Sequence, residues 1–142
     1  MNKFLTKIFK MGIAVLLIAI IGEIGISYFL YKSDYRIYSG YNYTYNDTTY
    51  HDLLINGNSR AWVQYSPYIL DSLLGVNSYN LGIDGSSINR QMVKYDRFVE
   101  GHGIPKYLIQ NVDLFTMNIS AGFEREQYYP YFFIDKKLVE LT

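Results

Sequence analysis

Apolar and polar positions divide this chain into three stretches of different rhythm. Residues 11–31 form an apolar run of 21, bounded by Lys10 and Lys32, in which Glu23 is the one charge. At 1.5 Å per residue the run reaches about 30 Å, the thickness of a bilayer core, and predicts a transmembrane signal-anchor over 1–32. Residues 33–50 (SDYRIYSGYNYTYNDTTY) are rich in Tyr, Asn, Thr and Asp, lack periodic apolar positions, and predict a linker. From His51 onward the rhythm is that of short buried strands and amphipathic helices.

Residues 52–56 (DLLIN) read as a strand ending at Gly57. Ser66-Pro67 then opens a helix, with serine as N-cap and proline at the first helical position. Ile69, Leu70, Leu73 and Leu74 give that helix an apolar face and Gly75 closes it. Residues 77–81 (NSYNL) are a second strand, followed by a turn from Gly82 to Gly85. Ser86 or Ser87 caps a second helix whose apolar positions are Ile88, Met92, Tyr95 and Val99. Gly101 and Gly103 stop it, and Pro105 precedes a third strand at 107–112. The order βαβαβ predicts an α/β class, with three parallel strands in one sheet and helices covering it. The tail from Thr116 carries aromatic clusters (YYPYFF) without a clear fourth strand.

The N-terminal run admits three readings, the weakest being a buried core helix, because few globular helices are this evenly apolar. A cleaved signal peptide would use residues 11–21 as its core, but no small-x-small cleavage site follows and the apolar run continues past Glu23. An uncleaved anchor fits better. Lys3, Lys7 and Lys10 before the span orient it with the N-terminus cytoplasmic and the domain outside a cell membrane, in a single pass. Glu23 is expensive if it faces lipid; it is either protonated or turned toward a partner helix.

Composition narrows the chemistry. With 142 residues there is room for one domain beyond the span. Cysteine is absent, which excludes disulfides, thiolate metal sites and a cysteine nucleophile. Two histidines, His51 and His102, cannot build a multi-histidine metal centre, and neither a metal nor another cofactor is expected. Thirteen basic and thirteen acidic side chains cancel, so nucleic acid is not an expected partner. From Ser33 onward nine basic residues face twelve acidic ones, a net of −3. The 16 tyrosines could stack on sugar rings, or could simply pack at the membrane or the domain edge.

In open α/β sheets ligands bind beyond the carboxyl ends of the strands. Two segments fall there: Gly57-Asn58-Ser59-Arg60 after the first strand, and the run from Asn80 to Ser87 after the second. A serine on a sharp strand-to-helix turn exposes its hydroxyl beside a backbone N–H, and a glycine in the next turn lets a second N–H approach a substrate oxygen. Each residue also has a plainer reading. Ser59 could cap the following helix, Arg60 could pair with Asp84, and Asp84 could hold its turn through backbone N–H groups. Trp62 and Tyr65 could line a pocket or pack a helix. Asp113, at the end of the third strand, is a candidate site carboxylate without an assigned role.

INGNSRAW followed about 20 residues on by YNLGIDGSS resembles the SGNH (GDSL-like) hydrolase superfamily, in particular its membrane-anchored bacterial branch. The resemblance covers roughly residues 51–118, the amino-terminal half of such a domain. It implies a partial flavodoxin-like three-layer domain over 51–142. It also implies Ser59 as nucleophile, Gly85 as a backbone oxyanion donor and Asn111 as a candidate oxyanion side chain, with Asn118 its alternative. Asn58, Arg60 and Asp84 would contact substrate. Asn58 stands where the family has Asp, and the Asp-x-x-His block that supplies the base is absent.

Both histidines are expected at the opposite end of the sheet. His51 precedes Ser59 by eight residues of mostly extended chain, about 25 Å, and His102 ends a helix leading away from the site. The resemblance therefore implies a tethered esterase or acyl transferase acting on acylated envelope glycan or a small ester. Its base would come from a missing carboxyl-terminal half or from a partner chain. The alternative is a non-catalytic anchored module that binds glycan or a protein.

Overall fold

The computed structural model describes residues 2–114, 116–117, 125–131 and 135–137. The first element, α1 (Asn2–Tyr31), is a helix of 30 residues, about 45 Å long. It begins well before the apolar run because Lys3, Lys7 and Lys10 are good helix formers and share one face. From Lys3 to Gly22 every side chain is exposed, Val15, Ile18 and Ile21 among them. A helix apolar on all sides needs an apolar medium. α1 is long and apolar enough to cross a membrane, as an anchor or a signal sequence would be.

From Glu23 onward one face of α1 is covered. Glu23, Gly25, Ser27 and Leu30 are half-buried, while Ile24, Ile26 and Phe29 stay exposed. The covering element is a 3₁₀ segment, Arg125–Tyr131, whose Tyr129 hydroxyl bonds the Glu23 carboxylate. Glu23 thus faces a partner, and the partner is this 3₁₀ segment rather than a second long helix.

The stretch expected to be a linker folds instead. Its larger part is α2 (Arg36–Asn46), and α2 packs against both the 3₁₀ segment and the last long helix. Helical spacing is carried here by Tyr38, Tyr41, Asn42 and Tyr45, not by aliphatic residues, so a search for aliphatic periodicity passes over it. Tyr41 is 1% exposed and meets Tyr128 edge-on at 5.1 Å, while Tyr45 stacks on Tyr131 at 4.1 Å. Asn42 donates to the carbonyls of Leu30 at 2.9 Å and Ser33 at 2.7 Å, capping the end of α1, and accepts from the Tyr131 hydroxyl. Tyr41 and Tyr45 are packing residues, while Tyr35 and Tyr50 at the ends of the stretch are exposed.

The sheet follows. Strands β1 (Leu53–Asn56), β2 (Ser78–Asn80) and β3 (Tyr107–Gln110) are parallel, in the order β2-β1-β3. Leu53 pairs with Ser78 on one side and Tyr107 on the other. Leu53 and Ile55 pack with Ala61, Tyr65 and Leu70 of the β1–β2 connection, which carries α3 (Ser59–Gln64) and α4 (Pro67–Leu74). Leu54 points the other way, to Leu81 and to Phe98 of α5 (Ile88–His102), with Tyr43 of α2 alongside. The central strand is buried on both faces, as its unbroken apolar run requires. Gly75 ends α4 in the left-handed region at φ 65°, whereas the hydroxyls of Ser66 and Ser87 cap nothing at the starts of α4 and α5.

Two expected helix faces come out differently. On α4 only Leu70 joins the core; Ile69, Leu73 and Leu74 are exposed. On α5 the expected set is only partly inward: Tyr95 packs on the Leu54–Leu81–Phe98 cluster and Ile88 and Val99 are half-buried, but Met92 is 47% exposed. The fully buried positions are Arg90, Gln91, Val93, Lys94, Phe98 and His102. The reason is the loop after β2, which turns its carbonyls toward α5. Lys94 Nζ donates to Leu81 O at 3.0 Å, Gln91 Nε2 to Ser86 O at 2.9 Å, and the Arg90 guanidinium to Gly85 O at 3.4 Å. Buried carbonyls need donors, and this outweighs the gain from burying Met92. Further along α5, Arg97 grips the buried Asp135 with two nitrogens at 2.6 and 2.7 Å. Burial pushes that carboxyl up, but Arg97 and Tyr45 hold it below its usual value.

Burial brings the Lys94 ammonium down from 10.5 to about 7. Between those values the unfolded chain holds a proton that the folded chain has released, so stability increases with pH. Chemical denaturation of the full chain in detergent micelles should show this rise from pH 7 toward 10, with a limiting slope of about 1.4 kcal/mol per pH unit. Above about pH 10 the buried tyrosines, whose pKa values are raised, reverse the trend. Lys94→Met should remove the rise and leave the high-pH fall.

Candidate functional site

Three chain segments meet beyond the carboxyl ends of the strands, and two glycines let them close. A Cβ on Gly57 would lie 2.6 Å from the Ala61 Cβ and 2.7 Å from the Asn111 Cβ. One on Gly82 would lie 2.5 Å from the Trp62 backbone nitrogen. Neither position has room for a side chain. The Ile83 N–H donates to Gly57 O at 3.2 Å, tying the second loop to the first. Asn80 spans the same gap: its amide donates to Ala61 O and Tyr65 O, both at 2.9 Å, and its Oδ1 accepts from the Gly82 N–H at 2.8 Å.

Asn58 is the organising side chain of the first loop. It is the N-cap of α3, its Oδ1 accepting from the Arg60 N–H at 3.0 Å. Its Nδ2 donates to Asp113 Oδ2 at 2.6 Å and to Thr116 Oγ1 at 3.2 Å. An amide suits this position because it can accept at one end and donate at the other; a carboxylate would face Asp113 with like charge. Asp113 also accepts from the backbone and hydroxyl of Thr116, at 2.8 and 3.0 Å. The Asn58 amide, the Thr116 bonds and the nearby Arg60 lower the Asp113 carboxyl to about 2. So acidic a group is a poor proton acceptor at neutral pH, and its role is to clamp the loop.

Ser59 is the first residue of α3, directly past the β1 turn, and half-buried. Among the described residues none hydrogen-bonds its hydroxyl. Asn111 leaves β3 beside Gly57, held through its backbone N–H to Asn56 O at 2.8 Å, and its Oδ1 is buried without a partner among the described residues. Arg60 lies 3.6 Å from Asp113 and not against Asp84, with its side chain 54% exposed. That contact is an exposed, weak ion pair. Gly85 sits at φ 64°, and its N–H donates to the Asp84 carboxylate at 3.0 Å. The structure therefore gathers Asn58, Ser59, Arg60 and Asn111 around Gly57, and leaves the Gly85 N–H already engaged by its neighbour. Asn118 lies outside the described residues.

A second polar layer lies beneath the loops. Asn56 Nδ2 donates to Gln110 Oε1 at 3.0 Å, and Gln110 Nε2 donates to Gln91 Oε1 at 2.8 Å. Sequence reasoning missed this layer, and it missed Thr116. The spacing Asp113-x-x-Thr116, a local turn signal, was the available clue to the latter.

The histidines lie at the other end of the sheet. His51 precedes β1 and sits between the Tyr43 hydroxyl, 2.7 Å from Nε2, and Asn77 Oδ1, 3.1 Å from Nδ1. Burial lowers its pKa. His102 stacks on Phe98 at 4.0 Å, and its Nδ1 donates to Thr49 O at 2.8 Å. Both are framework residues of an aromatic cluster with Tyr43 and Tyr79. Among the described residues no three His, Asp or Glu side chains gather as metal ligands.

Thermal melts of variants test the clamp. Asn58→Ala should cost about 1 kcal/mol for the lost cap, with a further loss from the amide bond that Asp113 Oδ2 gives up. Asn58→Asp should lower the midpoint at pH 7, and adding Asp113→Asn should restore it, since one amide again faces one carboxylate. No family model matches the chain, and neither a curated protein nor a solved structure matches it.

Proposed function

We propose that this chain is the nucleophile-bearing part of a membrane-tethered, SGNH-like serine esterase or acyl transferase, whose base comes from outside the described residues. The observation that carries the reading is Ser59 at the turn after β1, its hydroxyl bonded to no other described residue, with Asn111 leaving β3 against the neighbouring Gly57. The β2-β1-β3 order, with helices on both faces, supports a flavodoxin-like parentage. In this reading Ser59 attacks an ester carbonyl of an acylated envelope glycan. The oxyanion is held by the Ser59 N–H, by the Asn111 Nδ2 amide donor and by the Gly85 N–H once it leaves Asp84. Asn58, Arg60 and Asp84 line the approach.

Neither histidine can act, and Asp113 is too acidic, so a further chain segment or a partner must bring the base. The outer edge of β3, which pairs with no other strand among the described residues, is the natural seat for it. Tyr107 and Leu108 are 58% and 45% exposed, and Val112 and Leu114 extend the apolar strip. Unpaired strand edges recruit strands.

Imidazole tests the missing base. With an activated acetate ester in detergent micelles, the full chain alone should hydrolyse no faster than Ser59→Ala. Added imidazole should open a Ser59-dependent excess of about tenfold or more, a part of what a positioned base contributes. Equal rates for the two proteins at all imidazole concentrations would favour the second reading, a non-catalytic anchored module. That reading draws on the sequestered histidines and the engaged Gly85 N–H.

Orientation has its own test, since the chain lacks cysteine. An impermeant maleimide on intact cells should label Ser72→Cys, on the exposed side of α4, and should not label Asn2→Cys.

A further inference from the structure

A cleft of about 400 Å³ opens where α1 ends and α2 ends, and its wall includes Tyr31, Lys32, Asp34, Asn46, Asp47 and Tyr79. Its shape is fixed by Asn42, whose two bonds to Leu30 O and Ser33 O hold the last turn of α1 beside α2. Two features set its charge preference. The carboxyl ends of two helices converge on it, at Tyr31 and Asn46, and each carries partial negative charge. Two carboxylates, Asp34 and Asp47, line it with one ammonium, Lys32. Asp47 is held in its ionised form by its bonds to Thr49. The side chains of Lys32 and Asp34 are exposed and bond no other described residue. The volume exceeds what a bare ion fills and suits a polar group of several atoms.

We propose that this cleft binds an ammonium-bearing phosphodiester headgroup, its ammonium between Asp34 and Asp47 and its phosphate on Lys32. The excess of one negative charge selects against a plain anionic headgroup. A lipid source follows from the anchor reading, because the cleft lies at the end of the apolar helix; the headgroup chemistry stands without it.

Native mass spectrometry of the full chain released from micelles tests both. Phosphatidylethanolamine should be retained about tenfold over phosphatidylglycerol, and soluble glycerophosphoethanolamine should displace it. Asp34→Asn, at an exposed and unbonded position, should abolish the preference for the ammonium lipid. Lys32→Gln should weaken retention of both lipids. Ser59→Ala should change nothing, which separates this site from the ester chemistry. Binding of the soluble headgroup without retention of the lipid would uphold the chemistry and assign a soluble source. Equal retention of both lipids, unaltered in Asp34→Asn, would overturn the proposal.

Discussion

Much of this structure depends on one helix supplying hydrogen-bond donors to one loop. The chain after β2 turns the carbonyls of Leu81, Gly85 and Ser86 inward, and Lys94, Arg90 and Gln91 of α5 meet them. An unmet buried carbonyl would cost about as much as a lost hydrogen bond, so the rotation of α5 about its own axis is set by these three contacts. The rest of the helix follows. Phe98 and His102 fall beneath the sheet, Arg97 reaches Asp135, and Met92 is left outside. Lys94 shows the strain of the arrangement, an ammonium buried against the Tyr41 ring at 4.9 Å with its pKa depressed.

The same helix joins the sheet to the tyrosine layer. Tyr41, Tyr45, Tyr128 and Tyr131 interlock between α2, the 3₁₀ segment and α5, and the hydroxyls of Tyr45 and Tyr131 find Asp135 and Asn42. Tyrosine does here what leucine does in an ordinary core, and the polar tips of Tyr45 and Tyr131 tie those rings to specific acceptors. Through Asn42 and the Tyr129–Glu23 contact this layer grips the last turns of α1. The apolar helix and the α/β unit are thereby held by polar bonds at defined points, not by a loose tether.

At the carboxyl edge the governing contact is Asn58 with Asp113. It links residues 55 apart in sequence and draws the β3 exit onto the β1 turn. An acid at position 58, as the resembled motif has it, would lie against the Asp113 carboxylate, where the amide now donates. Beside Asp113 the amide is the choice that avoids two facing carboxylates. Among the described residues nothing bonds the Ser59 hydroxyl or the Asn111 Oδ1, while both imidazoles are committed to the aromatic cluster at the far edge.

Local signals were enough to reveal α1, the three strands, the glycine that ends α4 and the remoteness of both histidines. Each follows from composition, from a period, or from the fixed rise of strand and helix. The parallel sheet followed from the alternation of strand and helix. Other features depended on groups distant in sequence. The helicity of 36–46 rests on tyrosine packing against residues near 130. The inward face of α5 rests on loop carbonyls, and the partner of Arg60 on where β3 ends. The state of the Gly85 N–H was set by the conformation its turn adopts. Periodicity reports which side chains avoid water; it does not report which buried polar group will find which partner. That is decided only when the strands have brought their ends together.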